Sequence, residues 1–158
     1  MSKGSKYISQ DEALRRMQRY CAYQERSHKE VRSKLLNLGI YGDSLEEIMA
    51  QLITDNFLNE ERFARAYARG KFHMKQWGRR RILQELKFRD ISDYCIRKAM
   101  EEIPEKDYLE TLEEIIRKKN NKLAKTEDFV RRNKIAQYAI SRGYEPDLVW
   151  ELVDRLIS

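Results

Sequence analysis

The chain repeats its own pattern of apolar residues about every 50 positions. Within each copy the apolar residues are spaced as on one face of a helix, and a glycine or an aspartate stands before a short turn. The matched positions are Val31, Leu35, Gly39, Ile40, Ile48 and Leu52, then Ile82, Leu86, Asp90, Ile91, Ile96 and Met100, then Ile135, Ala139, Gly143, Tyr144, Val149 and Val153. We therefore expect a threefold repeat of two helices, a short turn and a third helix.

Composition favours the same fold class. The 158 residues include only six glycines and two prolines, whereas an all-β domain needs a turn about every 8–12 residues. We expect an all-α protein of about nine helices, each of ordinary length. The repeats are predicted at residues 9–56, 57–103 and 104–158, after a flexible N-terminus at residues 1–8. Because a unit of about 50 residues buries little core alone, the three tandem three-helix repeats should pack end to end into an elongated body.

Capping residues mark the predicted helix starts. A Ser followed three residues later by Glu is a capping box, in which each residue satisfies a free backbone N–H of the first turn. Such pairs begin at Ser9, Ser27 and Ser44, and further starts are predicted at Asn59, Ser92, Thr126 and Glu145. Gly39 and Gly143 each follow a helical run where a left-handed C-cap residue is expected.

Several classes of function are disfavoured. The longest apolar run is four residues, far below the roughly 20 that a membrane-spanning helix needs. Cys21 and Cys95 lie in apolar helical patterns and are not spaced as a pair, which indicates reduced thiols of a cytoplasmic protein. His28 and His73 have no partner ligand at helical spacing, so no metal site is predicted. We expect a monomer with no cofactor, no membrane contact and no enzymatic activity.

Positive charge is concentrated in one segment. Between Ala64 and Arg89 nine basic residues face a single acid, Glu85, so this segment carries a net charge of +8 and the rest of the chain −2. An anionic partner is one explanation for the concentration. A solvated basic face that only keeps the protein soluble is the other.

Helical phase indicates where these charges point. An apolar stripe is predicted at Phe63, Ala66, Tyr67, Gly70 and Met74, with Arg62, Arg65, Arg69 and Phe72 on the solvent side. The next helix has three arginines in its first turn, where the other predicted starts have a carboxylate. A cation in the first turn destabilises a helix by a few tenths of a kcal/mol and departs from the pattern of the other starts. We therefore interpret the arginines as functional. Phe72 and Trp77 are candidates for stacking on bases, or for packing against neighbouring helices. Four acids around Pro104 are expected to form a solvated linker: Glu101, Glu102, Glu105 and Asp107.

The run from Phe57 to Ile91 carries a recognisable signature. A helix of the form L-x-D/E-x-R-F-A is followed by a basic stretch, then by G-x-x-R-I-x-x-E-L and a turn into Ile. The matching residues are Leu58, Glu60, Arg62, Phe63, Ala64, Gly78, Arg81, Ile82, Glu85, Leu86 and Ile91. This pattern resembles the core signature of the RecX family of recombination regulators. The resemblance covers about residues 10–157 and departs from the family at Asp90, where the family usually has Gly.

The resemblance implies a curved rod of three three-helix repeats. Members of the family bind the RecA recombinase filament on single-stranded DNA and inhibit its growth, ATP hydrolysis and strand exchange, in DNA repair and the SOS response. The residues assigned to partner or nucleic-acid contacts are Arg62, Arg65, Arg69, Lys71, Lys75, Arg79, Arg80, Arg81 and Lys87. Only Arg62 and Arg81 occupy signature positions. A helical module that acts directly on DNA is the alternative function.

Overall fold

The computed structural model describes residues 8–157, which form nine α-helices and no strand. The helices are α1 (Gln10–Tyr23), α2 (His28–Asn37), α3 (Gly42–Thr54), α4 (Glu60–Lys75), α5 (Arg79–Phe88), α6 (Asp93–Met100), α7 (Glu105–Lys122), α8 (Asp128–Ser141) and α9 (Pro146–Leu156). The all-α prediction and the helix count are thus confirmed for these residues. Residues 1–7 of the predicted N-terminal segment lie outside the described part of the chain.

Most predicted helix starts are confirmed by their hydrogen bonds. At the start of α2, the Glu30 N–H donates to Ser27 Oγ at 3.1 Å, and the Ser27 N–H donates to the Glu30 carboxylate at 2.7 Å. This reciprocal pair is a complete capping box. Ser9, Asn59 and Ser92 also accept a backbone N–H of the helix that they precede. Pro146 at the start of α9 suits a position that needs no N–H.

Two predicted starts are wrong. The third helix begins at Gly42, two residues before Ser44, and its N-cap Tyr41 makes no side-chain capping hydrogen bond. The eighth helix is capped by Glu127, whose side chain accepts the Val130 N–H at 3.0 Å. Thr126 instead belongs to the preceding turn, where its N–H donates to the Leu123 carbonyl.

The repeated turns have the predicted backbone conformation. Gly39, Asp90 and Gly143 occupy equivalent positions and all have positive φ, at 84°, 60° and 107°. Aspartate tolerates the left-handed region better than most residues that carry a Cβ, because its short side chain can hydrogen-bond locally. The departure from glycine at Asp90 therefore leaves the turn intact.

Helix–helix packing follows the order of the chain. The principal contacts lie within α1–α3, within α4–α6 and within α7–α9, which we call the first, second and third units. The first unit encloses its own apolar core, which runs from Ala13 to Leu58. A second core runs continuously from Phe63 to Ile157 and is shared by the second and third units. We call the boundary between the first and second units the first joint, and the boundary between the second and third units the second joint. The apolar core is interrupted at the first joint and continues across the second.

The buried face of α4 differs from the predicted stripe. The buried residues are Phe63, Ala64, Ala68 and Phe72, whereas Met74 is 82% exposed. Both alanines are completely buried. Phe72 was predicted on the solvent side but is buried against Tyr108 of α7, with ring centroids 5.9 Å apart. Contacts with α6 and α7 thus decide the rotation of α4, and the sequence of α4 alone does not show them.

Candidate partner-binding surface

Arg62 uses most of its hydrogen-bonding capacity inside the chain. Its Nε donates to Glu25 in the α1–α2 loop at 2.7 Å. Its Nη2 donates to the carbonyls of Asn56 and Phe57, at 3.0 and 3.2 Å, in the segment that leads into α4. These bonds tie the first unit to the start of the second. They give this signature residue a structural role at the first joint.

Arg65 and Arg69 face acids of the same chain. Arg65 donates to Glu61 at 2.9 Å, to Glu101 at 3.2 Å and to Glu102 at 2.7 Å, while Arg69 donates to Glu102 at 2.8 Å. Hydrogen bonds from Arg65, and then from Arg69, hold the pKa of Glu102 below its usual value. The prediction of a solvated acidic linker was wrong here, because packing of α6 on α4 brings these acids to the arginines.

The cationic first turn of α5 is capped by the third unit. The Arg79 N–H donates to Tyr108 Oη at 3.0 Å, and the Arg80 N–H donates to the Gly143 carbonyl at 2.9 Å. The Arg79 guanidinium pairs with two carboxylates of the third unit, those of Glu105 and Glu145. The carboxylates that the first turn lacks are therefore supplied by residues far away in the sequence. Their local absence is explained by packing and needs no external partner.

Five of the nine assigned residues make no ion pair within the described chain: Lys71, Lys75, Arg80, Arg81 and Lys87. Lys71 and Arg81 both lie over the Trp77 ring, with the Lys71 Nζ 4.9 Å and the Arg81 Cζ 4.0 Å from its centroid. These five cations are exposed or half-buried on the end of α4 and on α5. They are the part of the assigned set that keeps its charge available to an anion.

An open groove lies beside these cations at the second joint. It measures about 340 Å³ and runs between α5 and the end of α8, lined by Arg80, Arg81, Gln84 and Ser141 among others. Two guanidinium groups, an amide and a hydroxyl supply hydrogen-bond donors to a phosphate or a carboxylate. Phe72 cannot stack on a base here because it is buried. Trp77 is half-buried and already carries two cations.

Sequence reasoning missed a second basic region at residues 117–134. It contains eight basic side chains against two acids. Two of them are paired, Arg131 with Asp128 and Arg132 with Asp154. The others make no ion pair within residues 8–157: Arg117, Lys118, Lys119, Lys122, Lys125 and Lys134. A local charge count along the chain reveals this region. The net charge of −2 for everything outside Ala64–Arg89 hides it, because acids elsewhere in the chain offset its basic residues.

Residues 8–157 contain no cluster of His, Cys, Asp and Glu side chains suited to holding a metal ion. None of the described helices combines the length and the apolar character required to cross a membrane.

Protein-family models match the second and the third unit of the chain. Residues 59–100 match the model of the second three-helix domain of RecX, and residues 105–153 match that of the third. These limits follow α4–α6 and α7–α9 closely. Together the two matches cover more than half of the chain.

Individual relatives agree with this assignment. The chain is 25% identical over 146 residues to the regulatory protein RecX of Prosthecochloris aestuarii, which covers 92% of this chain and 94% of the relative. It is 23% identical over 137 residues to the RecX of Bacillus mycoides, of which it spans only 51%.

Solved structures share the fold. The crystal structure of RecX from Lactobacillus salivarius superposes with a TM-score of 0.84 at 25% identity, over 93% of this chain and 96% of that one. A second crystal structure of a regulatory protein RecX has a TM-score of 0.82 at 20% identity, over 92% of this chain and 71% of that one. With two domain models and full-length relatives in agreement, the chain belongs to the RecX family of regulatory proteins.

Proposed function

We propose that this protein binds the RecA recombinase filament on single-stranded DNA and inhibits filament growth, ATP hydrolysis and strand exchange. The observation that carries the proposal is the set of five cations that make no ion pair with the described residues, on a chain of the RecX family. The protein acts as a monomer in the cytoplasm, without a cofactor. Its three sequence repeats are proposed to span residues 9–56, 57–103 and 104–158.

The cationic surface of α4 and α5 is proposed to contact the filament. Arg80, Gln84 and Lys87 recur at the spacing of one face of α5, and Arg80 also lines the groove at the second joint. Phosphates of the bound strand, or carboxylates of the recombinase, are the anions that such a surface attracts. Arg65 and Arg69 are not part of the proposed surface, because each already forms an ion pair with Glu102.

The primary test is ATP hydrolysis by the recombinase on single-stranded DNA, titrated with this protein. A filament regulator should inhibit at or below one molecule per recombinase subunit. No inhibition at equal amounts would remove the proposal.

The surface is tested with a double variant, Arg80→Ala with Lys87→Ala. Both side chains are exposed and form no ion pair with any residue from 8 to 157, so the melting temperature should change little. The same degree of inhibition should require at least about tenfold more of the double variant than of the unmodified protein, since a lost charge-assisted contact costs about 1.5 kcal/mol or more. The matched control is Lys34→Ala with Lys106→Ala, which removes two exposed cations elsewhere. Equal losses in both variants would reduce the effect to general charge.

Salt dependence separates this function from direct action on DNA. A protein that acts on DNA alone should bind bare single strands with an affinity that falls steeply as salt rises. A filament regulator should bind the filament at much lower concentration than it binds the bare strand. Equal affinity for both would favour the plain nucleic-acid-binding function.

A further inference from the structure

The third unit carries an exposed apolar groove between the end of α7 and α8. The groove measures about 520 Å³ and is lined by Leu123, Phe129, Val130 and Tyr138, together with polar side chains at its edge. Phe129 is 72% exposed, Val130 41% and Tyr138 39%. Most large apolar side chains of the described chain are buried, so this concentration of exposed ones needs an explanation.

The rim of the groove is positively charged. Lys119 and Lys134 line it, and neither makes an ion pair within the described chain. Lys122 and Lys125, close in sequence to the lining residue Leu123, are also exposed and without a salt-bridge partner there. The groove therefore joins an apolar floor to a surplus of cations that the fold itself does not neutralise.

We propose that this groove docks a protein segment of the recombinase filament that carries a large apolar side chain flanked by carboxylates. The apolar side chain would cover Phe129 and Val130, and the carboxylates would meet Lys119 and Lys134. The inference rests on the proposed function, and it assigns this contact to the protein component of the filament. Such an arrangement, an apolar anchor with a charged surround, is common at protein interfaces.

Features of the groove favour protein over nucleic acid. The Lys119 ammonium lies 4.5 Å from the centroid of the Tyr138 ring, so a face of that ring is already occupied. Leu123 and Val130 are aliphatic and offer no face for stacking on bases. An acidic, apolar peptide segment satisfies both the floor and the rim.

A second copy of this chain fits the groove less well. The chain carries a net charge of +6, and the groove itself lies in a segment with eight basic residues. Two copies meeting at this face would bring like charges together. Charge complementarity thus points to a partner of opposite sign.

The test compares binding to two targets. Labelled protein is titrated against recombinase filament assembled on single-stranded DNA with a non-hydrolysable ATP analogue, and against the same DNA without recombinase. Phe129→Ala should weaken filament binding at least about tenfold, as expected for an aromatic anchor, and leave bare-DNA binding unchanged. Lys134→Glu should weaken filament binding as well. Since both side chains are exposed, neither variant should change the melting temperature appreciably.

Matched controls keep the result specific. Tyr41→Ala removes an aromatic side chain that is 74% exposed in the first unit, and Lys106→Glu reverses an exposed charge at the start of α7. Both controls should bind the filament as the unmodified protein does.

Each other outcome overturns a stated part of the inference. Unmodified protein that binds no filament removes the proposed function and the groove contact together. Filament binding that survives Phe129→Ala removes the groove contact alone. Loss of bare-DNA affinity in Phe129→Ala would make nucleic acid the occupant, and a dimer in sedimentation that Phe129→Ala dissociates would make it a second copy.

Discussion

The first joint and the second joint hold neighbouring units by different means. At the first joint the contacts are polar: the Lys29 ammonium donates to the Phe88 carbonyl at 2.8 Å, and Arg62 donates to Glu25 at 2.7 Å. The apolar cores on its two sides remain separate. At the second joint a single core continues across the boundary, and stacked rings of Tyr108 and Tyr144, 5.0 Å apart, lie within it.

Backbone contact distinguishes the second joint further. The Gly78 N–H donates to the Arg142 carbonyl at 2.9 Å, and a Cβ on Gly78 would lie 2.2 Å from the carbonyl carbon of Gly143. The hydroxyl of Tyr144 also donates to the Gln76 carbonyl at 3.0 Å. Exposed ion pairs contribute about 0–1 kcal/mol each, whereas core burial contributes several kcal/mol. We therefore expect the second and third units to unfold together and the first unit to open separately.

The largest expected effect is at the second joint. Gly78→Ala places a methyl group inside the backbone of the α8–α9 turn, and neither backbone can yield without moving its helix. The free energy of unfolding should fall by about 3 kcal/mol or more in chemical denaturation. The matched control is Gly70→Ala in α4, where an added Cβ meets nothing within 4 Å. That variant should be stabilised by about 0.5–1 kcal/mol, because alanine favours a helix interior. A mild effect of Gly78→Ala would mean that the second joint is loose.

A second test uses the two cysteines as reporters of local opening. Cys21 lies in the core of the first unit and Cys95 in the shared core. Burial raises the pKa of Cys21 to about 11 and also raises that of Cys95, so neither thiol reacts appreciably while it stays buried. In single-cysteine variants made with alanine, Cys21 should be labelled under native conditions at least about tenfold faster than Cys95. Equal labelling rates would show that all three units open as one.

A smaller effect is expected from Arg62→Ala at the first joint. The variant loses the ion pair with Glu25 and the bonds to two carbonyls of the α3–α4 segment. Because Arg62 is partly exposed, the expected cost is about 1 kcal/mol. Labelling of Cys21 should accelerate in this variant while labelling of Cys95 stays constant. Acceleration at both cysteines would extend the role of Arg62 beyond the first joint.

The smallest effect concerns the pH dependence of stability that arises from the ion pairs of Glu102 with Arg65 and Arg69, which lie within the second unit. The pKa of Glu102 is lowered by Arg65 and then by Arg69, so its carboxylate is more acidic in the folded chain than in the unfolded chain. Its contribution to stability is therefore present above the usual pKa of 4.5 and is lost as pH falls through the lowered value. Glu102→Gln should remove part of the loss of stability seen between neutral and acidic pH. An unchanged pH profile would mean that the network contributes nothing to folding.

Local signals made much of the fold predictable. Ser27 and Glu30 form a capping box because both partners lie within one turn, and Gly143 takes its positive φ because a following turn requires it. The start of α3 escaped prediction because Ser44 and Glu47 match the capping pattern, although both lie inside the helix that begins at Gly42. The same limit applies to α4, where contacts with other helices decided which face is buried.

The charged surface shows where sequence reasoning ends. Net charge, the helical period and the family signature are properties of the sequence itself, and they determined the fold class, the family and the existence of a basic surface. Which cations remain available was decided by the tertiary structure alone, since Arg65 meets Glu102 and Arg79 meets Glu145 across 37 and 66 residues of sequence. Ion pairing acts over a few ångströms in space, and spacing along the chain carries no record of it. Packing of α4 on α6, and of α5 on the third unit, thus separated structural arginines from the cations that make no ion pair within residues 8–157.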